Sequence, residues 1–333
     1  MTSPLRRVLR GEREAREQRE LSPLATKSTD TRGRAVEEAQ DDYRTVFERD
    51  RDRIIHSKAF RRLKHKTQVF LNPEGDHYVT RLTHTVHVTQ VGRAMATALG
   101  LNEPLTEAIC LAHDVGHSPF GHTGEDALTP YVEGEWLHSA QGVRVLSVLE
   151  PLNLTWEVLD GVRAHSWKIE PPPSTPEGDL CRFADRIAYL THDVADAIRA
   201  GVISFVQVPE SAVRRFGDSS RQWIDSMITA VVETSAVEGR VMMDEPTLDV
   251  MNELRDFMFR HVYLSAEAEE QKQRAITVIR NLTDYYALHP EEIPDSYKVD
   301  DTDDLTRAID YVSGMTDRFA LSTHDTLFRP RLF

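Results

Sequence analysis

Along most of the chain, apolar residues recur at steps of three and four, the period of helices with one buried face. Asp76–Leu99 reads as one long helix stopped by Gly100, and Pro104 opens the next, over Leu105–His113. Further helices are expected over Ser139–Leu149, Trp156–Arg163 and Asp179–Ala200, the last ended by Gly201. Helices of lower information follow at 209–217, 219–238, 246–264, 267–287 and 302–320. Alternating runs are scarce, so the expected fold is all-α with at most a short β-hairpin, around Val202–Val208 or near Gln68–Tyr78. Residues 1–40 are nearly free of large apolar side chains and read as a polar arm, loose or ordered only on assembly. Residues 41–205 then form a core, and 206–333 a helical region packed on it. The prolines at 171, 172, 173 and 176 mark a surface loop within the core.

Composition narrows the class. The 333 residues are ample for a large core, and no stretch approaches the length of an apolar membrane span. The two cysteines, Cys110 and Cys181, sit in apolar segments and read as buried free thiols, so a cytoplasmic location is expected. A net charge of −14 disfavours a general nucleic-acid coat protein. It leaves room for a small anion in a local basic pocket, or for single-stranded DNA in a basic groove. Basic residues cluster from Arg49 to Lys66, where Ile54, Ile55, Phe60 and Leu63 give an otherwise solvated helix an apolar side. Arg61, Arg62 and Lys66 are candidates for phosphate there, or the run is merely an interface, and Arg318 near the C-terminus is a further candidate. Gly-x-x-x-x-Gly-Lys is absent, which removes a P-loop NTPase.

The chemistry concentrates where a helix ends at His113-Asp114, followed by His117 and His122 among Gly116, Pro119 and Gly121. On the preceding helix, Arg81, His84, Val88, Val91, Met95 and Ala98 share a face. His84 therefore lies at the rim of a core, either as a satisfied core histidine or as a ligand. Asp185, Tyr189 and Asp193 share a face of a later helix, either a solvated stripe paired with Arg182 and Arg186 or a carboxylate ladder that binds something. Together, His84, His113, Asp114 and Asp185 offer two imidazoles and two carboxylates. That mixed set suits manganese, iron, cobalt, zinc or, less well, magnesium.

Longer segments carry a family likeness. Arg62-Leu-Lys-His-Lys-Thr-Gln68, Arg81-Leu-Thr-His84, the run from His113 to Glu125, and Asp185-Arg-Ile-Ala-Tyr189 resemble the HD-domain deoxynucleoside triphosphate triphosphohydrolases, often called dGTPase-like. Gly314-Met-Thr-Asp-Arg-Phe-Ala is similar to that family too, and the length resembles its compact bacterial subgroup. The resemblance implies an HD-domain core and metal-dependent cleavage of a dNTP to deoxynucleoside and whole triphosphate. It implies His84, His113, Asp114 and Asp185 as ligands of a divalent metal. It also implies His122 and Glu125 as a catalytic pair supported by His138. Arg81 and His117 would hold the α-phosphate, Arg186 the triphosphate, Tyr189 the sugar, and Gln68 and Asp193 the 3′-OH. The family assembles into tetramers or hexamers, so a homo-oligomer is expected. The alternatives are a phosphohydrolase of another nucleotide, or a nucleotide sensor or single-stranded-DNA-binding regulator with weak catalysis.

Overall fold

A computed structural model describes residues 5–68, 79–264, 266–299 and 301–330, with the backbone alone at 266–268. Among the described residues fifteen α-helices follow one another. In the first half they are α1 (Arg10–Glu20), α2 (Val46–His56), α3 (Lys58–Arg62), α4 (Arg81–Leu99), α5 (Glu103–Ala112), α6 (His122–Leu128), α7 (His138–Arg144) and α8 (Trp156–Ala164). Then come α9 (Pro176–Arg199), α10 (Glu210–Phe216), α11 (Ser220–Glu238), α12 (Glu245–Met258), α13 (Ala266–Leu288), α14 (Asp304–Ser313) and α15 (Asp317–Phe328). The all-α expectation holds. Among the described residues there is no strand, only isolated bridges pairing Arg34 with Thr155 and Thr67 with Thr80. Among the described residues no helix is long and apolar enough to cross a membrane.

Local chemistry sets the ends. Asn102 accepts from the Leu105 amide, with Pro104 in the first turn of α5, and Thr175 accepts from Gly178 to open α9 ahead of its expected start. Gly100 closes α4 in the left-handed conformation. The single helix expected over 302–320 is two, because Thr316 accepts from Phe319 and starts α15 anew. The hairpin expected around Val202–Val208 is a 3₁₀ turn, Phe205–Gln207, in which the Gln207 side chain accepts from the Ser204 amide at 2.8 Å. That local bond replaces a cross-strand partner. Residues 76–78 of the expected long helix, and all but Gln68 of the other expected strand, lie outside the described residues. On α4, Ala98 is exposed while Leu99 packs on the core. At 3.6 residues per turn, position 99 falls closer to Met95 in azimuth than position 98 does.

Two apolar clusters fill the molecule. One gathers α2, α4, α5, α8 and α9 with α10–α12, around Met95, Ile109, Ile187, Leu190, Met227 and Met258, and includes the buried free thiols Cys110 and Cys181. The other joins α6 to α13 and α14 through Leu128, Ile279, Leu282 and Val312. The N-terminal segment is anchored rather than loose. The buried carboxylate of Glu177 accepts from the Thr26 amide at 3.0 Å, the Thr26 hydroxyl at 2.8 Å and the Asn102 amide at 2.9 Å. Glu157 holds Thr31 and the Arg32 amide in the same way. These attachments are polar, so an apolar count overlooks them.

The turn after His113 lies against α7. A methyl on Gly116 would stand 2.1 Å from the His138 carbonyl oxygen and 2.2 Å from the Gly142 nitrogen. Both are backbone atoms and cannot swing aside. Gly116→Ala is predicted to destabilise the fold by about 1–3 kcal/mol, as overpacking does. An unchanged melting temperature in thermal denaturation would refute that close approach.

Candidate metal centre and active site

Three helices deliver the chemistry to one place. Arg81 and His84 stand in the first turns of α4, His113 caps the C-terminus of α5, and Asp185 projects from the middle of α9. His84 Nε2 is 3.1 Å from Asp185 Oδ1 and 4.0 Å from Asp114 Oδ2. His113 Nε2 is 3.5 Å from Asp114 Oδ1 and 3.8 Å from Asp185 Oδ1. His113 Nδ1 donates to the Cys110 carbonyl at 2.7 Å, which fixes the tautomer and leaves Nε2 a bare lone pair. That Nε2 is buried and lacks a hydrogen-bond partner among the described residues. An orphan imidazole lone pair facing two carboxylates suits a divalent cation, and His84, His113, Asp114 and Asp185 are the residues placed to hold one.

The electrostatics agree. Burial alone would raise Asp114, but the His113 imidazole and the Arg81 guanidinium outweigh it and hold the carboxyl well below its usual range. Burial likewise opposes Asp185, yet the His84 hydrogen bond and the neighbouring imidazoles bring it down to about 2. Both carboxylates are ionised at neutral pH. Arg81 is itself buried and donates Nη1 to Asp114 Oδ2 at 2.9 Å, while its Nε has no partner among the described residues.

A second constellation adjoins the first through His117. Its Nε2 is 3.2 Å from Asp114 Oδ1 and its Nδ1 is 3.2 Å from Glu125 Oε1. Burial, reinforced by Arg81 and His138, keeps His117 neutral. Glu125 also accepts from His138 Nδ1 at 2.6 Å, and its Oε2 lies 3.5 Å from His122 Nδ1. Burial raises Glu125, but His138 and His122 hold it well below the usual carboxylate range. The His122 side chain is 76% exposed, which makes it the reachable member of the group.

The remaining expected residues line α9 and its neighbours. Arg186 is buried over the Trp167 ring at 4.2 Å and donates Nη1 to Asn252 Oδ1 at 3.2 Å. Burial raises Tyr189 to about 12 and Asp193 to about 7, and Asp193 accepts from the Tyr263 hydroxyl at 2.6 Å. The α9 ladder is thus half-buried at Asp185 and Tyr189 and buried at Asp193 rather than a solvated stripe. Gln68 stands at the edge of the described residues with Oε1 buried and unpaired among them. Lys66, a candidate for phosphate, faces inward instead. Its Nζ donates to the carbonyls of His117 and Ser313, and burial lowers it to about 7. Arg318 is exposed. Its neighbour Asp317 accepts from the amides of Thr67 at 2.9 Å and Phe120 at 3.0 Å, binding the start of α15 to the turn that carries the histidines.

Sequence reasoning missed His165 and Tyr263. His165 follows an alanine at the end of α8, as His113 does at the end of α5, and that repeated Ala-His ending is the signal that could have found it. Tyr263 sits in an ordinary helical stretch and offers no comparable signal.

The HD domain model matches residues 81–190, and the phosphohydrolase-associated domain model matches residues 241–326. A deoxyguanosinetriphosphate triphosphohydrolase-like protein of Caldanaerobacter subterraneus subsp. tengcongensis is 46% identical, covering 93% of each chain. Proteins of the same description from Desulfatibacillum aliphaticivorans and Clostridium tetani are 44% and 39% identical. They cover 96% and 94% of this chain, and 98% and 94% of their own. With the HD ligand pattern drawn together by α4, α5 and α9, these matches show that the chain belongs to the HD-domain phosphohydrolases, among the deoxyguanosinetriphosphate triphosphohydrolase-like proteins.

Proposed function

We propose that the protein hydrolyses deoxynucleoside triphosphates to deoxynucleoside and inorganic triphosphate. The observation that carries this reading is the junction at His117, which joins the ligand cradle at Asp114 to the imidazole–carboxylate group at Glu125. His84, His113, Asp114 and Asp185 would hold a divalent ion, which when bound would supply Lewis acidity toward a phosphoryl oxygen and lower the pKa of a bound water. Cleavage between the α-phosphorus and the 5′ oxygen leaves an alkoxide that needs a proton. His122 is exposed to the site and supplies it, while Glu125 orients the imidazole and His138 braces Glu125. Arg81 and the neutral His117 flank the α-phosphate, and Arg186 meets the triphosphate. Tyr189 packs on the sugar, where a 2′-OH would crowd it. Gln68 and the partly protonated Asp193 bind the 3′-OH, so substrates lacking that hydroxyl are poor. The active form is a homo-oligomer, tetramer or hexamer, as the family resemblance implies.

Product analysis tests the reaction. Each dNTP is incubated with the Mn²⁺- or Mg²⁺-loaded protein, and the products are separated by ion-exchange chromatography. Deoxynucleoside and triphosphate in equal amounts are expected. Release of orthophosphate or pyrophosphate would move the protein to another phosphohydrolase reaction.

A further inference from the structure

One aromatic ring carries two guanidiniums, and the fold treats them differently. Trp167, between α8 and α9, has Arg182 at 4.7 Å and Arg186 at 4.2 Å from its ring centre. The two arginines stand one turn apart on α9. The ring is fixed against that helix. Its indole N–H donates to the Arg182 carbonyl at 3.1 Å, and Phe183 meets it edge-on at 5.0 Å. Arg182 has a carboxylate of its own, Asp179 at 3.6 Å. Arg186 forms no ion pair among the described residues, although it is the more deeply buried of the two.

The partners of Arg186 are neutral. Nη1 donates to the Asn252 amide oxygen at 3.2 Å, and the Tyr189 hydroxyl lies beside the guanidinium. Its Nε has no hydrogen-bond partner among the described residues. A second positive charge, Arg255, stands near it on α12. Arg81, also buried, is held instead by Asp114 at 2.9 Å. A cation enclosed without a counter-charge is costly to a fold. A π face lowers that cost, because its quadrupole attracts the guanidinium. An amide oxygen fixes the direction of one N–H. Neither cancels the charge, whereas a carboxylate in the same place would. What remains is a directed guanidinium whose missing partner is an anion, on the residue that follows Asp185. Its planar donors suit phosphate oxygens.

We propose that Trp167 and Asn252 are positioning residues that hold Arg186 with its charge uncancelled, and thereby set the protein's affinity for a polyphosphate. The inference rests on the reading of Arg186 as the triphosphate contact. Trp167 and Asn252 act through Arg186, not on the bond that breaks.

The test compares a ligand that has phosphates with one that has none. Asn252→Asp keeps the size of the side chain and an acceptor toward Arg186, and adds the carboxylate that the fold leaves out. Trp167→Leu removes the π face, and Trp167→Phe retains a ring. Inorganic triphosphate and 2′-deoxyguanosine are titrated separately into the Mn²⁺-loaded full-length proteins by calorimetry. Asn252→Asp and Trp167→Leu are expected to bind triphosphate about tenfold more weakly, the loss of one charge-assisted contact. Trp167→Phe is expected to stay within about threefold of the wild type, since a π face remains. Deoxyguanosine is expected to bind all four proteins alike. Unchanged triphosphate affinity in Asn252→Asp and Trp167→Leu would overturn the inference and leave the triphosphate reading standing. Equal losses for both ligands would also overturn it, as general damage to the pocket. No triphosphate binding by the wild type would overturn the reading of Arg186 itself. Should Trp167→Leu fail to fold by circular dichroism, Asn252→Asp decides alone.

Discussion

Asp114→Asn is expected to strip the protein of its divalent metal and to lower turnover by about three orders of magnitude. Three decades correspond to about 4 kcal/mol, within what a Lewis-acid metal contributes to a phosphoryl transition state. The residue stands where every other group converges. His84, His113 and His117 all lie within 4.0 Å of its carboxylate, and Arg81 donates to it. Asparagine keeps the shape and one acceptor oxygen for Arg81 but removes the charge that offsets the buried guanidinium. Breaking a buried pair outright costs about 3–5 kcal/mol, and the isosteric change is expected to cost less. A melting curve and a metal count on the same sample therefore separate a damaged fold from an emptied site. A folded Asp114→Asn protein that keeps both metal and turnover would remove Asp114 from the centre.

What could be read from the sequence was what has a short period or a local rule. The helices that matter, α4, α5 and α9, follow from apolar spacing and from Gly100, Pro104 and Gly201 as punctuation. His84, His113-Asp114 and Asp185 come within reach of one another because each is placed by one of those helices. The Gly314–Ala320 segment, which also resembles the family, lies far along the chain from this group. In the fold, its Asp317 grips Thr67 and Phe120 and so braces the histidine turn. That bond spans 250 residues, and no periodicity announces it.

The misreadings share a physical cause. Residues 1–40 read as loose or ordered only on assembly because they are nearly free of large apolar side chains, yet Glu177 and Glu157 hold the stretch around Thr26–Arg32 by accepting from backbone amides and hydroxyls. A buried carboxylate acting as an anchor is indistinguishable in sequence from a solvated one. Lys66 turns inward for a similar reason, since its ammonium satisfies two carbonyls inside the fold. His165 is a further case, because its contact with His138 at 2.8 Å is made only in the fold.

His122→Ala is expected to keep the fold and the metal and to lose about 10²–10⁴-fold in kcat, the range for removing a positioned general acid. The exposure of His122 makes the experiment clean. It begins α6, its side chain is 76% exposed, and its one close charged partner is Glu125 at 3.5 Å. Truncation therefore leaves no cavity in a core and no buried charge unpaired, because Glu125 still accepts from His138. KM should change little, since the imidazole acts on the leaving oxygen as the bond breaks rather than on the ground state. The loss should also shrink for a substrate whose leaving group is more acidic than a deoxyribose 5′ hydroxyl, because a better leaving group needs its proton less. A nitrophenyl ester of a phosphate offers that comparison in one assay. An equal loss on both substrates would assign His122 to binding, and unchanged turnover on dNTPs would place the acid on another group.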